Sequence, residues 1–507
     1  MGMGTVMANH NLYYHLRQAF VASLNKPFLT GPNFEALSYS ACDELTGQLA
    51  NLFTNKGLTA GDRVLVRAVK SPMALMLYLA CLRSGVIYVP INPSCSGDEL
   101  DYFLTDSTPS LFIGDEEHCA RVNKSSSLPT LSLDKNGQGT LVDQAQVFPS
   151  IHDIAMSQAD DVAVLIYTSG TTGVPKGAML SHDNLLANAQ TLYTAWGWSG
   201  DDVLLHCLPI FHVHGLFVAT HLAMLGASTM VFLPRFDTDL VLNYLSETTV
   251  FMGVPTYYTR LLQDARLDSA NCSNSRLFIS GSAPLLAETF QAFKENTGHT
   301  ILERYGMSET GMLVSNPLEG ERLAGTVGFP LPGVETRIHD EGGENVEKGE
   351  VGILQVKGAN VFNGYWGKPE LNASEFAEDY FITGDLVQEA PDGRLTLVGR
   401  SKDLVISGGL NIYPKEIESV LDLQPGILES AVFGVPHPDF GEGLVAAVVP
   451  HPGAVLNTDN LLAACREKLA AYKSPKSIVL LNELPRNSMG KVQKNNLREQ
   501  HASLFQS

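Results

Sequence analysis

The chain is poor in the devices that secreted, membrane and nucleic-acid-binding proteins rely on. Cysteine is scarce, seven in 507 residues, and Cys42, Cys81, Cys95, Cys119, Cys207, Cys272 and Cys465 never fall in C-x-x-C spacing. That pattern excludes a disulfide framework and a zinc site, and leaves buried small hydrophobes in a reducing compartment. No uncharged apolar run reaches membrane-spanning length, and the opening MGMGTVMANHNLYYHLRQAF has neither the apolar stretch of a signal peptide nor an Arg/Ser-rich transit pattern. A cytoplasmic protein with no membrane partner is expected. Positive charge is also in deficit, Lys+Arg 34 against Asp+Glu 54 for a net −20, so nucleic acid is not a partner of the surface as a whole. Any polyanion the protein binds must be met by local groups.

What is present is an ordinary globular composition, 44% hydrophobic and 17% charged, on a chain long enough for two or more cores. Strand-like DRVLVRAV (62–69) precedes MALMLYLACLRSG (73–85), whose apolar positions recur at helical spacing, and this alternation predicts layered parallel α/β structure. VAVLIY (162–167) reads as a strand covered on both faces, and Ser181 as the N-cap of a helix through Asn184–Leu192. VGFPLPGVETRIHD, GEVGILQVKG and GRLTLVGR, after residue 325, predict a β-rich subregion. The expected fold is therefore α/β: a large N-terminal domain, 1–400, and a small α+β domain, 401–507. In that small domain ten Lys+Arg nearly balance eleven Asp+Glu, so the acidity resides in the large one.

The densest chemistry lies in YTSGTTGVPKG (167–177), where a buried strand runs into glycines, hydroxyls and a lysine. Glycines let backbone N–H groups approach an anion, hydroxyls donate, and Lys176 adds charge, which suits phosphate. The G-x-x-x-x-G-K-[ST] loop of NTPases is absent, because Pro175 precedes Lys176 and Gly177 follows it.

YTSGTTGVPKGAMLSH resembles the signature loop of the adenylate-forming enzymes: acyl-CoA synthetases, luciferases and peptide-synthetase adenylation domains. Five further segments match that family in order: RLFISGSAPL (276–285), LERYGMSET (302–310), YFITGDL (380–386), GRSKDLVISGGLNIYPKEIE (399–418) and LPRNSMGKVQK (484–494). The resemblance spans nearly the whole chain. It implies that a carboxylate attacks the α-phosphorus of ATP, releasing pyrophosphate, and that the coenzyme A thiol then displaces AMP. Charge building on oxygens in such a step calls for fixed donors and Mg²⁺.

Carried residue by residue, the resemblance assigns Thr168, Ser169, Gly170, Thr171, Thr172, Gly173 and Lys176 to the triphosphate, and Gly281, Ser282, Ala283 and Pro284 to the adenine edge. Glu303, Tyr305, Gly306, Met307 and Ser308 continue the nucleotide site, with Tyr305 stacking on adenine and Glu309 holding Mg²⁺. Asp385 and Arg400 match the ribose contacts. Lys491 matches the catalytic lysine, Lys402 the hinge that swings its domain, and Gly408 and Gly409 the pantetheine path. His212, in LLHCLPIFHVHG (204–215), matches the ring that gates the acyl pocket; His206, His212 and His214 together could also suggest a metal site, although no cysteine or acid accompanies them.

Arg304, just before Tyr305, sets the expected substrate. A cation beside the acyl pocket does not suit a hydrocarbon tail, whereas a guanidinium pairs bidentately with a second carboxylate. Arg260 in GVPTYYTRLL could add another cation, and His206 a further substrate contact. With FGVPHPDFGEG (433–443), these segments are most similar to the malonyl-CoA synthetases. The expected reaction converts malonate, and plausibly methylmalonate, with ATP and coenzyme A to the thioester, AMP and pyrophosphate. A CoA ligase for another short or aromatic acid and a luciferase-like oxidoreductase are the alternatives; a homodimer is possible.

Overall fold

The computed structural model describes residues 8–169, 174–340, 342–408, 410–487 and 491–505. It divides into two compact units, one running to Glu335 and including Lys357–Phe381, the other comprising Thr336–Val356 and the chain from Ile382 onward. The compact units thus do not part at residue 400: the strands of the β-rich subregion cluster largely with the C-terminal segment.

The first unit holds two sheets. In the six-stranded sheet the order is Thr130–Ser132, Leu111–Gly114, Arg63–Val66, Ile87–Pro90, Val162–Ser169, Pro175–Ser181. All neighbours are parallel except the last pair, which is an antiparallel hairpin. The nine-stranded sheet is parallel from Ile301–Met307 through Leu277–Ser280, Val250–Gly253, Val203–His206 and Thr229–Phe232 to Pro27–Thr30, with antiparallel additions at both edges. Such strands are short and apolar because both faces are covered. Helix Pro72–Ser84 starts on the Ser71 cap, ends at Gly85 with φ 69°, and is buried continuously from Ala74 to Arg83. An apolar circumference is what a helix packed on all sides requires, and its Tyr78 meets Tyr88 of the six-stranded sheet on one side and bonds His221 at 2.8 Å on another. All seven cysteines are buried and free.

Ser181 caps helix His182–Ala195 in a reciprocal box with Asn184, as the sequence predicts. In the second unit, strands Ile427–His437 and Gly441–Pro450 form a long antiparallel pair. Helices Pro414–Asp422 and Thr458–Lys468 cover one face through Ile417, Leu421, Leu461 and Cys465, while Leu484 and Leu497 cover the other. Burial on both faces explains why LVAAVVP shows no alternation. Among the described residues no helix is long and apolar enough to cross a membrane.

Candidate active site

Strand Val162–Ser169, which leads into the hydroxyl-rich stretch, pairs antiparallel with the strand Pro175–Ser181 that follows it. Register sets Thr168 opposite Lys176 and Ser169 opposite Pro175, so Thr168 and Lys176 project from the same face. Gly170, Thr171, Thr172 and Gly173 lie outside the described residues, as does Gly409. The returning strand is fixed on its outer edge by the segment 363–366: Met179 N–H donates to the Gly364 carbonyl at 2.9 Å and Trp366 N–H to the Gly177 carbonyl at 2.8 Å. This delivers Tyr365 to the site. Its hydroxyl donates to Glu309 Oε1 at 3.0 Å, and Thr168 Oγ1 donates to the same oxygen at 3.2 Å. Lys176, 7% exposed, lies 5.0 Å from the Tyr365 ring and 3.5 Å from Glu375 Oε1. Sequence reasoning missed Tyr365 and Glu375, which carry no motif of their own.

Glu309 sits between strands Ile301–Met307 and Gly311–Ser315 and is buried. Asn188 clamps that turn, donating to the Met312 carbonyl at 2.8 Å and accepting its N–H at 3.0 Å. A Cβ on Gly311, at φ 61°, would lie 2.5 Å from Asn188 Oδ1, so only glycine admits the clamp. A carboxylate beside hydroxyls is an all-oxygen donor set that suits a hard dication completed by phosphate oxygens and water. These residues therefore fit Mg²⁺. Among the described residues no three His, Cys, Asp or Glu side chains group as a metal cluster, so the three histidines do not form one.

Tyr305 is buried beside Arg304, and Ser308 is partly exposed. Glu303 Oε1 accepts from Gly325 N–H at 3.3 Å and its carbonyl from Asn316, which ties Glu303 into the scaffold. Ser282 holds φ 71°, a left-handed conformation uncommon outside glycine. A Cβ at Gly306 would fall 2.1 Å from the Gly311 carbonyl oxygen, so the bulged strand needs glycine there too.

Arg304 is 4% exposed, and its Nε and Nη2 have no hydrogen-bond partner among the described residues. Burial lowers its pKa to about 9, opposed by Tyr258. An uncompensated buried cation costs several kcal/mol, which an anion brought from outside the chain would offset. Its guanidinium lies against Gly281, where a Cβ would stand 2.5 Å from Cζ. His214, also buried, has no hydrogen-bond partner on either ring nitrogen among the described residues and is held neutral first by burial and then by the Arg304 charge. It opens a wide π-type turn, His214–Ala219, a form common at functional sites. His212 Nε2 is likewise unpartnered, its ring 4.3 Å from Phe211, and burial lowers its pKa to about 3.

His206 is placed differently. Its Nδ1 accepts from Lys70 Nζ at 2.8 Å and its Nε2 lies 2.8 Å from the Gly215 carbonyl, so both nitrogens are used inside the protein. Arg260 is exposed on helix Pro255–Leu261; its charge is felt by Tyr257, as that of Arg304 is by Tyr258. Sequence reasoning treated His214 only as a possible metal ligand; that its ring feels the Arg304 charge has no local sequence signal.

In the second unit, Asp385 and Arg400 face each other across antiparallel strands and pair at 2.9 Å. Lys402 lies in the short helical turn Ser401–Asp403, its pKa lowered by burial and by Arg400. Gly408 takes φ 60° and donates to the Phe440 carbonyl at 2.9 Å. Asn487 N–H donates to the Lys491 carbonyl at 2.9 Å, and Lys491 N–H donates to Asn487 Oδ1 at 3.0 Å. Desolvation first, then Arg400 and Lys402, lower its pKa to about 8 against the pull of Asp385 and Asp403, although much of the side chain's surface stays open.

The AMP-binding enzyme family matches residues 16–366 and its C-terminal domain matches 416–491. The feruloyl-CoA synthase of an Amycolatopsis species is 36% identical, covering 91% of this chain and 94% of that one. The malonate–CoA ligase of Arabidopsis thaliana is 34% identical over 89% of this chain and 80% of its own. Among solved structures, ATP-bound MatB from Rhodopseudomonas palustris superposes with a TM-score of 0.95 at 46% identity, covering 98% of this chain and all of that one. The fold and the motifs agree: the chain belongs to the AMP-binding enzymes, the adenylate-forming superfamily.

Proposed function

We propose that this chain, an ATP-dependent acyl-CoA ligase of the AMP-binding enzymes, activates malonate, with methylmalonate as a second substrate. One malonate carboxylate oxygen attacks the α-phosphorus of ATP and pyrophosphate leaves; the sulfur of coenzyme A then attacks the acyl carbon and AMP leaves. Lys176 and Thr168 neutralise phosphate oxygens at the hairpin tip, and Glu309 would hold Mg²⁺, which when bound screens phosphate charge. Tyr305 and the Gly281–Pro284 segment take the base, Asp385 the ribose hydroxyls, and Lys491 donates to the oxygens that gain charge in adenylation. Rotation at Lys402 then exchanges Lys491 for the Gly408 loop in the thiol step.

The observation that carries the substrate is Arg304: a buried guanidinium with two unpartnered nitrogens is matched by a carboxylate that does not react. A monocarboxylate would leave that cation unpaired. The malonate–CoA ligase among the relatives supports this choice, while the feruloyl-CoA synthase at similar identity makes substrate the quantity to measure. Pyrophosphate release with acetate, malonate, methylmalonate, succinate, oxalate and a cinnamate, each with and without coenzyme A, tests it. Malonate should lead; a preference for acetate or the cinnamate refutes the reading. Methyl and methylene differences are worth only ~1–3 kcal/mol, so methylmalonate should follow closely.

A further inference from the structure

Lys70 takes no part in the proposed reaction, yet it is a buried amine with no acid beside it among the described residues, and burial pushes its pKa well down. It lies in the turn between strand Arg63–Val66 and helix Pro72–Ser84, is 8% exposed, and forms no ion pair among the described residues. Its Nζ donates to His206 Nδ1 at 2.8 Å and to the His206 carbonyl at 2.9 Å, and stands 4.2 Å from the centre of the Phe232 ring. A methionine of similar length would fill that space without desolvating an amine. What the amine alone supplies is the pair of hydrogen bonds to His206.

Those bonds have a directional consequence. With Nδ1 accepting, the proton of the neutral His206 ring sits on Nε2, where it donates to the Gly215 carbonyl at 2.8 Å. Burial, reinforced by Lys70, keeps the ring neutral. Thr220 Oγ1 donates to the same carbonyl at 3.2 Å. Gly215 has no slack on its other side, since a Cβ there would meet the Pro209 carbonyl oxygen at 2.1 Å. It follows His214 directly, and His214 is the ring that feels both His206 and Arg304. A path of hydrogen bonds therefore runs from Lys70, through His206 at the end of a strand of the nine-stranded sheet, to Gly215, the neighbour of the ring that feels the Arg304 charge.

We propose that Lys70 is a positioning residue for recognition of the second carboxylate: by fixing His206 in its Nε2–H form it anchors Gly215, and with it the turn that holds His214 beside Arg304. The inference rests on the reading of Arg304 as the carboxylate's partner. It predicts that acid binding, rather than nucleotide binding or chemistry, depends on Lys70.

The test compares Lys70→Met, which removes donor and charge, with Lys70→Gln, which keeps a donor, and with Arg304→Met. KM for malonate and for ATP, kcat for pyrophosphate release, and the melting temperature are read for each. Lys70→Met should raise the malonate KM about tenfold, the order expected when a buried hydrogen bond is lost, with the ATP KM within about twofold of the parent. Lys70→Gln should restore most of that loss. If Lys70→Met does not fold, Lys70→Gln and His206→Asn decide, because the shorter amide of asparagine cannot reach the Gly215 carbonyl and should reproduce the malonate KM rise. A malonate KM unchanged in Lys70→Met or His206→Asn while Arg304→Met raises it overturns the inference alone. No change in any of these variants overturns the Arg304 reading beneath it. A parallel rise in both KM values with a fall in melting temperature makes Lys70 merely structural, and also overturns it.

Discussion

Replacing Arg304 with methionine should stabilise the resting protein and disable malonate binding at once. A guanidinium ordinarily keeps its proton beyond pH ~12. Here it would lose it at about 9, because burial disfavours the cation. Three decades of proton affinity at ~1.4 kcal/mol each amount to on the order of 4 kcal/mol of strain against the charged form. The sign follows from linkage: folded and unfolded chains both carry the proton below about pH 9, so the penalty is complete at neutral pH and is relieved only as pH rises beyond that value. Methionine removes the penalty and fills most of the volume over Gly281, so the variant's melting temperature at pH 7 should equal or exceed the parent's. Malonate loses a bidentate, charge-assisted pair worth about 3 kcal/mol, a KM rise of about a hundredfold. Scanning fluorimetry with each ligand separates the two effects. Saturating malonate at about a hundred times Kd should stabilise the parent by ~2.7 kcal/mol and leave Arg304→Met unmoved, while ATP stabilises both. A variant that melts well below the parent and keeps its malonate KM would show Arg304 to be a scaffold residue and refute the argument.

Three further outcomes are expected. The rate of adenylate formation should fall as pH rises through about 8, where the Lys491 ammonium is lost, and Lys491→Arg should move that alkaline limb upward; a limb unmoved by the substitution assigns it to another group. Glu309→Gln should raise the Mg²⁺ concentration needed for half-maximal pyrophosphate release by about tenfold or more, since a hard dication is held through carboxylate charge, and an unaltered Mg²⁺ titration would exclude Glu309 from the site. Gly281→Ala places a Cβ 2.5 Å from Arg304 Cζ and must push the guanidinium aside, so malonate KM should rise more than ATP KM; equal rises in a kinetic comparison would detach Gly281 from acid selection.

The fold class and the candidate nucleotide site were legible in local sequence because their requirements are local. A short, β-branched apolar run such as VAVLIY reads as a covered strand, Ser181 with Asn184 writes its own cap, and a Gly/Ser/Thr/Lys stretch reads as a candidate anion cradle without reference to a distant partner. The charge of Arg304 beside Tyr305 was equally visible, and with it the case for a dicarboxylate. What sequence could not say was which of these groups would be satisfied inside the protein. His206, singled out as a substrate contact, spends both nitrogens on Lys70 and Gly215, whereas His214 and Arg304 are left unpartnered. Lys70, Tyr365 and Glu375 carry no motif and acquire meaning only from what they touch. The reason is physical: the type of a polar side chain is written in the chain, but whether its hydrogen bonds close internally or await a ligand is fixed by residues a hundred or more positions away, when separate sheets pack and exclude the water that would otherwise have answered them.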